Sequence, residues 1–315
     1  MRALYPEIAP FNTFIVDVGA PHRLHVEEAG ARDGIPVVFL HGGQGSGCNE
    51  NHRRYFDPAR YRIILFDQRG CHRSTPRGTV EGNTTQDLLA DIERIRARLA
   101  IERWVVFGGS WGATLGLLYA QRNPDQVLAL ILRGVFLARR ADLDWFARDG
   151  ASRIFPDHWA EFVRSVPEAE RLDLVAALHG RVHGSNPEVK RQAASAWSTW
   201  ATRVTTYLLP QADVVEEDAD RIMDQVAIET HYAYHRYFIT ENQIIANAAG
   251  LPDVPTRIIH GRRDLTCTLD ASWALHNAVP RSELVIVNEG GHLAGEPVMT
   301  DALVAATDSM AARLA

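Results

Sequence analysis

Cysteine is scarce in this 315-residue chain, and Cys48, Cys71 and Cys267 are the full set. An odd number with no C-x-x-C pair excludes a disulfide framework and a zinc knuckle, so all three read as reduced thiols. Long apolar runs are also missing, and none approaches the roughly 20 residues needed to cross a bilayer. The first residues, Met1-Arg2-Ala3-Leu4-Tyr5-Pro6-Glu7, lack the apolar stretch of a secretory signal, so a cytoplasmic protein is expected. No basic run occurs, and a net charge of −6 argues against nucleic acid or a membrane surface as partner. Runs of like residues that would mark an interface are absent too, which leaves a monomer as the default. Asn83-Thr84-Thr85 fits the N-glycosylation pattern, but without a signal segment it reads as a helix cap.

What remains is an ordinary globular composition, 46% hydrophobic and 23% charged, with enough apolar residues for a sizeable core. The most informative stretch is Val105-Val106-Phe107-Gly108-Gly109-Ser110-Trp111-Gly112. It is an apolar run ending in Gly-x-Ser-x-Gly and opening onto a helical pattern. That is the form of a nucleophile elbow, a strand-to-helix turn so sharp that the serine adopts a strained backbone, with glycines removing the Cβ atoms that would clash. Ser110 is the candidate nucleophile.

Other strands lead to similar loops. Phe11 to Glu28 reads as an edge hairpin around Gly19-Ala20-Pro21-His22. Ile35 to Leu40 reads as a strand buried on both faces, feeding His41-Gly42-Gly43-Gln44-Gly45-Ser46-Gly47. Glycines there let backbone approach a substrate, and the expected oxyanion-hole donors are the N–H groups of Gly43 and Trp111. A phosphate-binding loop would need a Gly-Lys-Ser/Thr ending, which is absent. Tyr61 to Phe66 precedes Asp67-Gln68-Arg69-Gly70-Cys71-His72-Arg73, where Asp67 with Arg69 or Arg73 reads as an internal ion pair and His72 as a loop residue. Thr84 or Thr85 caps an amphipathic helix running to about Ala100, and strands follow at Trp104–Phe107 and Val127–Leu132. Strands alternating with helices imply a doubly wound, mostly parallel α/β sheet.

Strand-like runs then stop until Pro255. The expected organisation is a core formed by residues 1–137 and 248–315, with an inserted helical cap at 138–247 broken by loops at Asp149-Gly150, Gly184 to Pro187 and Leu209-Pro210. The cap holds Trp145, Trp159, Trp197 and Trp200, most of them packing and a few available to line an apolar substrate pocket. Glu229, by residue type alone, reads as a solvent-facing helix position. His231 and His235 have the i, i+4 spacing of a metal pair but no third ligand nearby in sequence, so no metal site and no cofactor are expected.

Two late strands, Pro255–His260 and Glu283–Val287, are followed by Gly261-Arg262-Arg263-Asp264 and Asn288-Glu289-Gly290-Gly291-His292. Serine, acid, histidine in that order is the triad order of α/β-hydrolases. Asp264 would orient His292, which would take the Ser110 proton. Asp270 suits a helix cap better, and Asp253 precedes its strand.

Together these motifs resemble the proline iminopeptidase family of α/β-hydrolases over nearly the whole chain. Those that carry the resemblance are His41-Gly42-Gly43, Asp67-Gln68-Arg69-Gly70-Cys71, Asn83-Thr84-Thr85, Gly108-Gly109-Ser110-Trp111-Gly112, Leu132-Arg133-Gly134-Val135-Phe136-Leu137, Gly150 to Asp157, and Gly290-Gly291-His292 with Glu296-Pro297. The resemblance implies an α/β-hydrolase fold and metal-free cleavage of an N-terminal proline from small peptides through an acyl-enzyme on Ser110. It also implies cap carboxylates that hold the substrate ammonium. Glu229 matches one of these, and Gly42, Tyr232 and Glu296 are further candidate substrate contacts. The sequence departs at Ala201, where the family has the other amine-binding glutamate after Ala196-Trp197-Ser198-Thr199-Trp200. It also has Gln44 for Pro, Ser46 for Gly, His72 for Gly and Arg263 where Tyr is frequent. Ala201 keeps open an esterase or arylamidase with the same triad, and a silent binding protein on this fold is a further alternative.

Overall fold

Two alternating segments of the first hairpin and six short, mostly apolar runs become the strands of one sheet. The computed structural model describes residues 1–209 and 218–315. Its strands are β1 (Asn12–Asp17), β2 (Arg23–Gly30), β3 (Ile35–Leu40), β4 (Tyr61–Phe66), β5 (Trp104–Gly109), β6 (Val127–Arg133), β7 (Thr256–Gly261) and β8 (Glu283–Val287). They lie in the order β1-β2-β4-β3-β5-β6-β7-β8. The first hairpin is antiparallel to itself and to β4, and every pairing from β4 to β8 is parallel. β5 is buried at every position, as a central parallel strand covered on both faces must be.

The helices, in chain order, are α1 (Thr85–Arg98), α2 (Trp111–Arg122), α3 (Arg140–Ala147), α4 (Ala151–Ile154), α5 (Pro156–Arg164), α6 (Leu174–Val182), α7 (Pro187–Thr206), α8 (Ala219–Tyr234), α9 (Gln243–Ala246), α10 (Leu269–Ala278) and α11 (Pro297–Leu314). Thr84 is the cap of α1 and shares a capping box with Asp87. The sheet has an apolar layer on each face. Leu88, Ile92, Leu115, Leu118 and Leu275 pack on one side, and Phe107, Leu303 and Met310 on the other.

Between β6 and β7 the described residues form helices and no strand. Trp200 joins this insertion by stacking on Phe162 at 5.7 Å and meeting Trp159 edge-on at 5.2 Å. Trp145 fastens it to the sheet-bearing part through Nε1, which donates to the Leu265 carbonyl at 2.7 Å. The loop expected at Leu209-Pro210 runs into residues 210–217, so Pro210 lies outside the described residues.

Register decides where the loops meet. Leu40 is opposite Gly108, Gly109 opposite Arg133, and Arg133 opposite Ile259. The carboxyl ends of β3, β5, β6 and β7 are therefore level, and in an open parallel sheet that edge is where a site forms.

Candidate active site

The turn after β5 has the backbone that the Gly-x-Ser-x-Gly spacing requires. Ser110 sits at φ +55°, ψ −121°, a conformation costly for a residue with a Cβ and held here by its surroundings. Its N–H donates to the Arg133 carbonyl at 2.8 Å. Gly108 and Gly112 are obligatory, because a Cβ on the first would strike the Gly112 carbonyl and one on the second the Leu40 carbonyl. Trp111 opens α2, so its N–H lies in the first turn, where no intrahelical acceptor exists.

Gly42 lies against this turn, since a Cβ on it would sit 2.7 Å from the Gly109 oxygen and 3.2 Å from Ser110 Cβ. Gly43 follows at φ +60°. Ser46, one of the departures from the family, donates its hydroxyl to the Gly42 carbonyl at 2.5 Å and the Gly43 carbonyl at 3.0 Å. It thereby stiffens the loop that carries the Gly43 N–H. Gln68 joins both halves of the candidate oxyanion hole, accepting from Trp111 Nε1 at 3.0 Å and donating to the His41 carbonyl at 3.0 Å.

Of the two arginines open as partners for Asp67, the structure selects Arg73, whose Nε donates at 2.8 Å. Arg69 instead makes a paired contact with Asp91 at 2.6 and 2.7 Å. Burial works against an ionised Asp67, but the Arg73 guanidinium and the Cys48 N–H hold its carboxyl below the ordinary range. His72 is a partly exposed loop residue 3.4 Å from the Asp67 carboxylate.

Asp264 and His292 meet as the strand order predicts. His292 Nδ1 lies 2.7 Å from Asp264 Oδ2, and the other carboxylate oxygen accepts the N–H groups of Thr266 and Cys267, each at 2.9 Å. Asp264 is 3% exposed. Burial favours its neutral form, but the His292 ring and these donors outweigh it and hold the carboxyl below its ordinary value. Gly134, at φ +52°, leaves the room, because a Cβ there would lie 3.2 Å from Asp264 Oδ2. The rival acids are used elsewhere, Asp270 with Arg139 at 2.9 Å and Asp253 with Arg281. Asp270 occupies the first turn of α10, whose capping position is Thr268.

Two neighbours of the triad residues were not anticipated. Arg133 Nη1 donates to the His292 carbonyl at 2.7 Å and lies 3.4 Å from Nε2. Its sequence signals are a charge at the end of a buried strand and its place in the Leu132-Arg133-Gly134 motif, neither of which assigns it a contact. Cys267 Sγ lies 3.7 Å from Ser110 Oγ, and that thiol, rather than the imidazole, is the serine's side-chain contact in this structure. Burial raises the thiol well above its ordinary value, so it is neutral and not a competing nucleophile.

The candidate substrate contacts separate. Glu229 is half-buried on α8, not solvent-facing, and it accepts from Trp197 Nε1 at 2.7 Å and Gln225 Nε2 at 2.9 Å. Ala201 is one turn beyond Trp197 on α7, so a side chain there projects from the same helix face. Tyr232 is 1% exposed and donates to Asn83 Oδ1 at 2.8 Å, its ring 5.0 Å from that of Trp111. It supports the indole from behind. Glu296 accepts the N–H groups of Gly291 at 2.7 Å and Leu293 at 3.0 Å, a brace for the His292 loop. A cavity of about 1150 Å³ lined by Arg139, Leu143, Trp159, Leu172 and Tyr234 among others lies among the helices between β6 and β7 and includes neither Ser110 nor His292.

The His231–His235 pair does have a third imidazole beside it in space. α6 brings His179 to it, and one ring nitrogen from each of the three lies within 4.8 Å of the others.

A strained serine between β5 and α2, an acid after β7 and a histidine after β8 define the class, an α/β-hydrolase. The family model described as "alpha/beta hydrolase fold" matches residues 35–296. The chain is 46% identical to the proline iminopeptidase of Xylella fastidiosa (strain 9a5c) over 311 residues, 98% of this chain and 99% of that protein. It is 44% identical to that of Arabidopsis thaliana over 315 residues, 99% of this chain and 83% of the other. It therefore belongs to the proline iminopeptidase family of α/β-hydrolases. The crystal structure of a proline iminopeptidase-related protein from Thermus thermophilus superposes with a TM-score of 0.56 at 20% identity, covering 96% of this chain and 98% of that one, a likeness of fold alone. Among the described residues, no helix is long and apolar enough to cross a membrane.

Proposed function

We propose that this hydrolase releases N-terminal proline from small peptides through a covalent acyl-enzyme on Ser110. The observation that carries the reading is the 2.7 Å Asp264–His292 contact at the sheet edge where Ser110 is presented at φ +55°. Rotation about the single Ser110 χ1 torsion takes Oγ from the Cys267 thiol toward His292 Nε2, a closure that substrate-free sites commonly await. Oγ then attacks the prolyl carbonyl as its proton passes to Nε2, and the oxyanion takes the N–H groups of Gly43 and Trp111. Collapse expels the peptide amine with the proton from His292. Water, deprotonated by the same ring, then frees proline and restores Ser110.

Glu229 is the acceptor for the prolyl ammonium. Its donors, Trp197 and Gln225, fix the carboxylate on α8, and α8 reaches the oxyanion loop itself. A Cβ on Gly45 would lie 2.7 Å from Gln225 Cα. Ala201 supports a second reading, an esterase or arylamidase with the same triad. It removes the family's other carboxylate, and a hydrogen bond to a charged group contributes about 1.5–3 kcal/mol.

Labelling with a fluorophosphonate, followed by peptide mass spectrometry, tests the acyl-enzyme. Ser110 should carry the phosphonyl group, and Ser110→Ala should lose on the order of 10⁵–10⁶ in kcat with an unchanged melting curve. Full activity in Ser110→Ala would overturn the mechanism, and absence of labelling on a folded wild type would favour a silent binding protein.

A further inference from the structure

The cap places four histidines in two i, i+4 pairs on packed helices. His179 and His183 stand at the end of α6, and His231 and His235 at the end of α8. His183 turns Nε2 toward the Ala227 carbonyl at 3.1 Å. The other three face one another, with one ring nitrogen from each inside 4.8 Å. We propose that His179, His231 and His235 form a binding site for a divalent transition-metal ion of the zinc, nickel or copper class.

Three neutral imidazoles suit that class and not magnesium or calcium, which take oxygen donors. His231 has the partner that orients a ligating ring. Its Nε2 lies 3.1 Å from the Asn83 carbonyl, which fixes the tautomer and leaves Nδ1 as the acceptor. His179 is held in place by stacking on Tyr234, with ring centroids 4.1 Å apart and planes at 4°.

A tetrahedral ion with bonds of about 2.0–2.1 Å needs its ligand nitrogens roughly 3.3 Å apart, so binding draws the trio inward. His235, the exposed member, is the ring that can move. Solvent fills the fourth position. The ion would tie α6 to α8, and α8 carries Glu229 two residues before His231. It would act on cap rigidity, separately from the reaction at Ser110.

The test uses the full, untagged chain in a non-chelating buffer, titrated with zinc chloride by calorimetry and melted with and without zinc. Wild type should bind one equivalent saturably, and zinc should raise its melting temperature. His235→Ala should melt like wild type without zinc, bind at least about tenfold more weakly and lose the zinc-induced rise. His179→Gln repeats the test from the other helix. Unchanged affinity in both variants, or no saturable single site in wild type, would overturn the proposal.

Discussion

The serine turn and Glu229 are held in place by different means. Ser110 is held by backbone. Its N–H is bonded to Arg133, and Gly42, Gly108 and Gly112 permit contacts that no side chain could share. Glu229 is held by side chains, Trp197 and Gln225, projecting from two helices. Backbone geometry tolerates almost no substitution, whereas a helix face accepts an exchange such as Ala201 without disturbing its neighbours. Under the proposed function, the same contrast would separate chemistry, on the sheet edge, from selectivity, on the helices between β6 and β7.

Substitutions on each side sharpen that division. Asp264→Asn should preserve the fold but lower kcat about 10⁴-fold, because an amide no longer fixes the His292 tautomer or stabilises its charged form. A loss under tenfold in steady-state kinetics would mean that another acid serves the histidine. Asp67→Asn attacks core stability rather than chemistry, and because Asp67 is buried while Arg73 is part-exposed and also pairs with Glu27, the loss should be about 1–3 kcal/mol. The sign follows from its lowered folded-state value. The carboxylate's contribution is present above the unfolded value near 3.9 and is lost as pH falls through the folded one. In denaturant melts the gap to wild type should therefore be full at pH 7 and narrow below about pH 4. A gap that widened with acid would contradict the ion-pair assignment.

Glu229→Gln should leave kcat for an uncharged p-nitrophenyl ester within about twofold while lowering kcat/KM for a free-amine prolyl substrate roughly ten- to a hundredfold. Equal losses on both substrates would place Glu229 in the chemistry and erase the distinction between core and cap.

Legibility in sequence follows the same line. The elbow could be read because its glycines answer a local steric demand, and Asp264 and His292 because parallel strands end level. Tyr232 and Glu296 lie where the family resemblance directs attention, but spacing does not reveal which way a side chain faces. One props Trp111 and the other the His292 loop. Arg133 and Cys267 were missed because a charge or thiol beside a strand is indistinguishable from a rim or core residue until the loops converge. His179 was missed because it joins His231 only through helix packing, which no local pattern encodes.

The central claim is that the core supplies the reaction and the cap supplies the demand for a free amine. Its most direct test is kcat/KM for prolyl-naphthylamide against the N-acetylated compound, in wild type and Ala201→Glu. Wild type should prefer the free amine, and Ala201→Glu should gain a further factor of roughly ten to a hundred as a second carboxylate joins Glu229. Equal cleavage of both compounds by wild type, with no gain in Ala201→Glu, would contradict it.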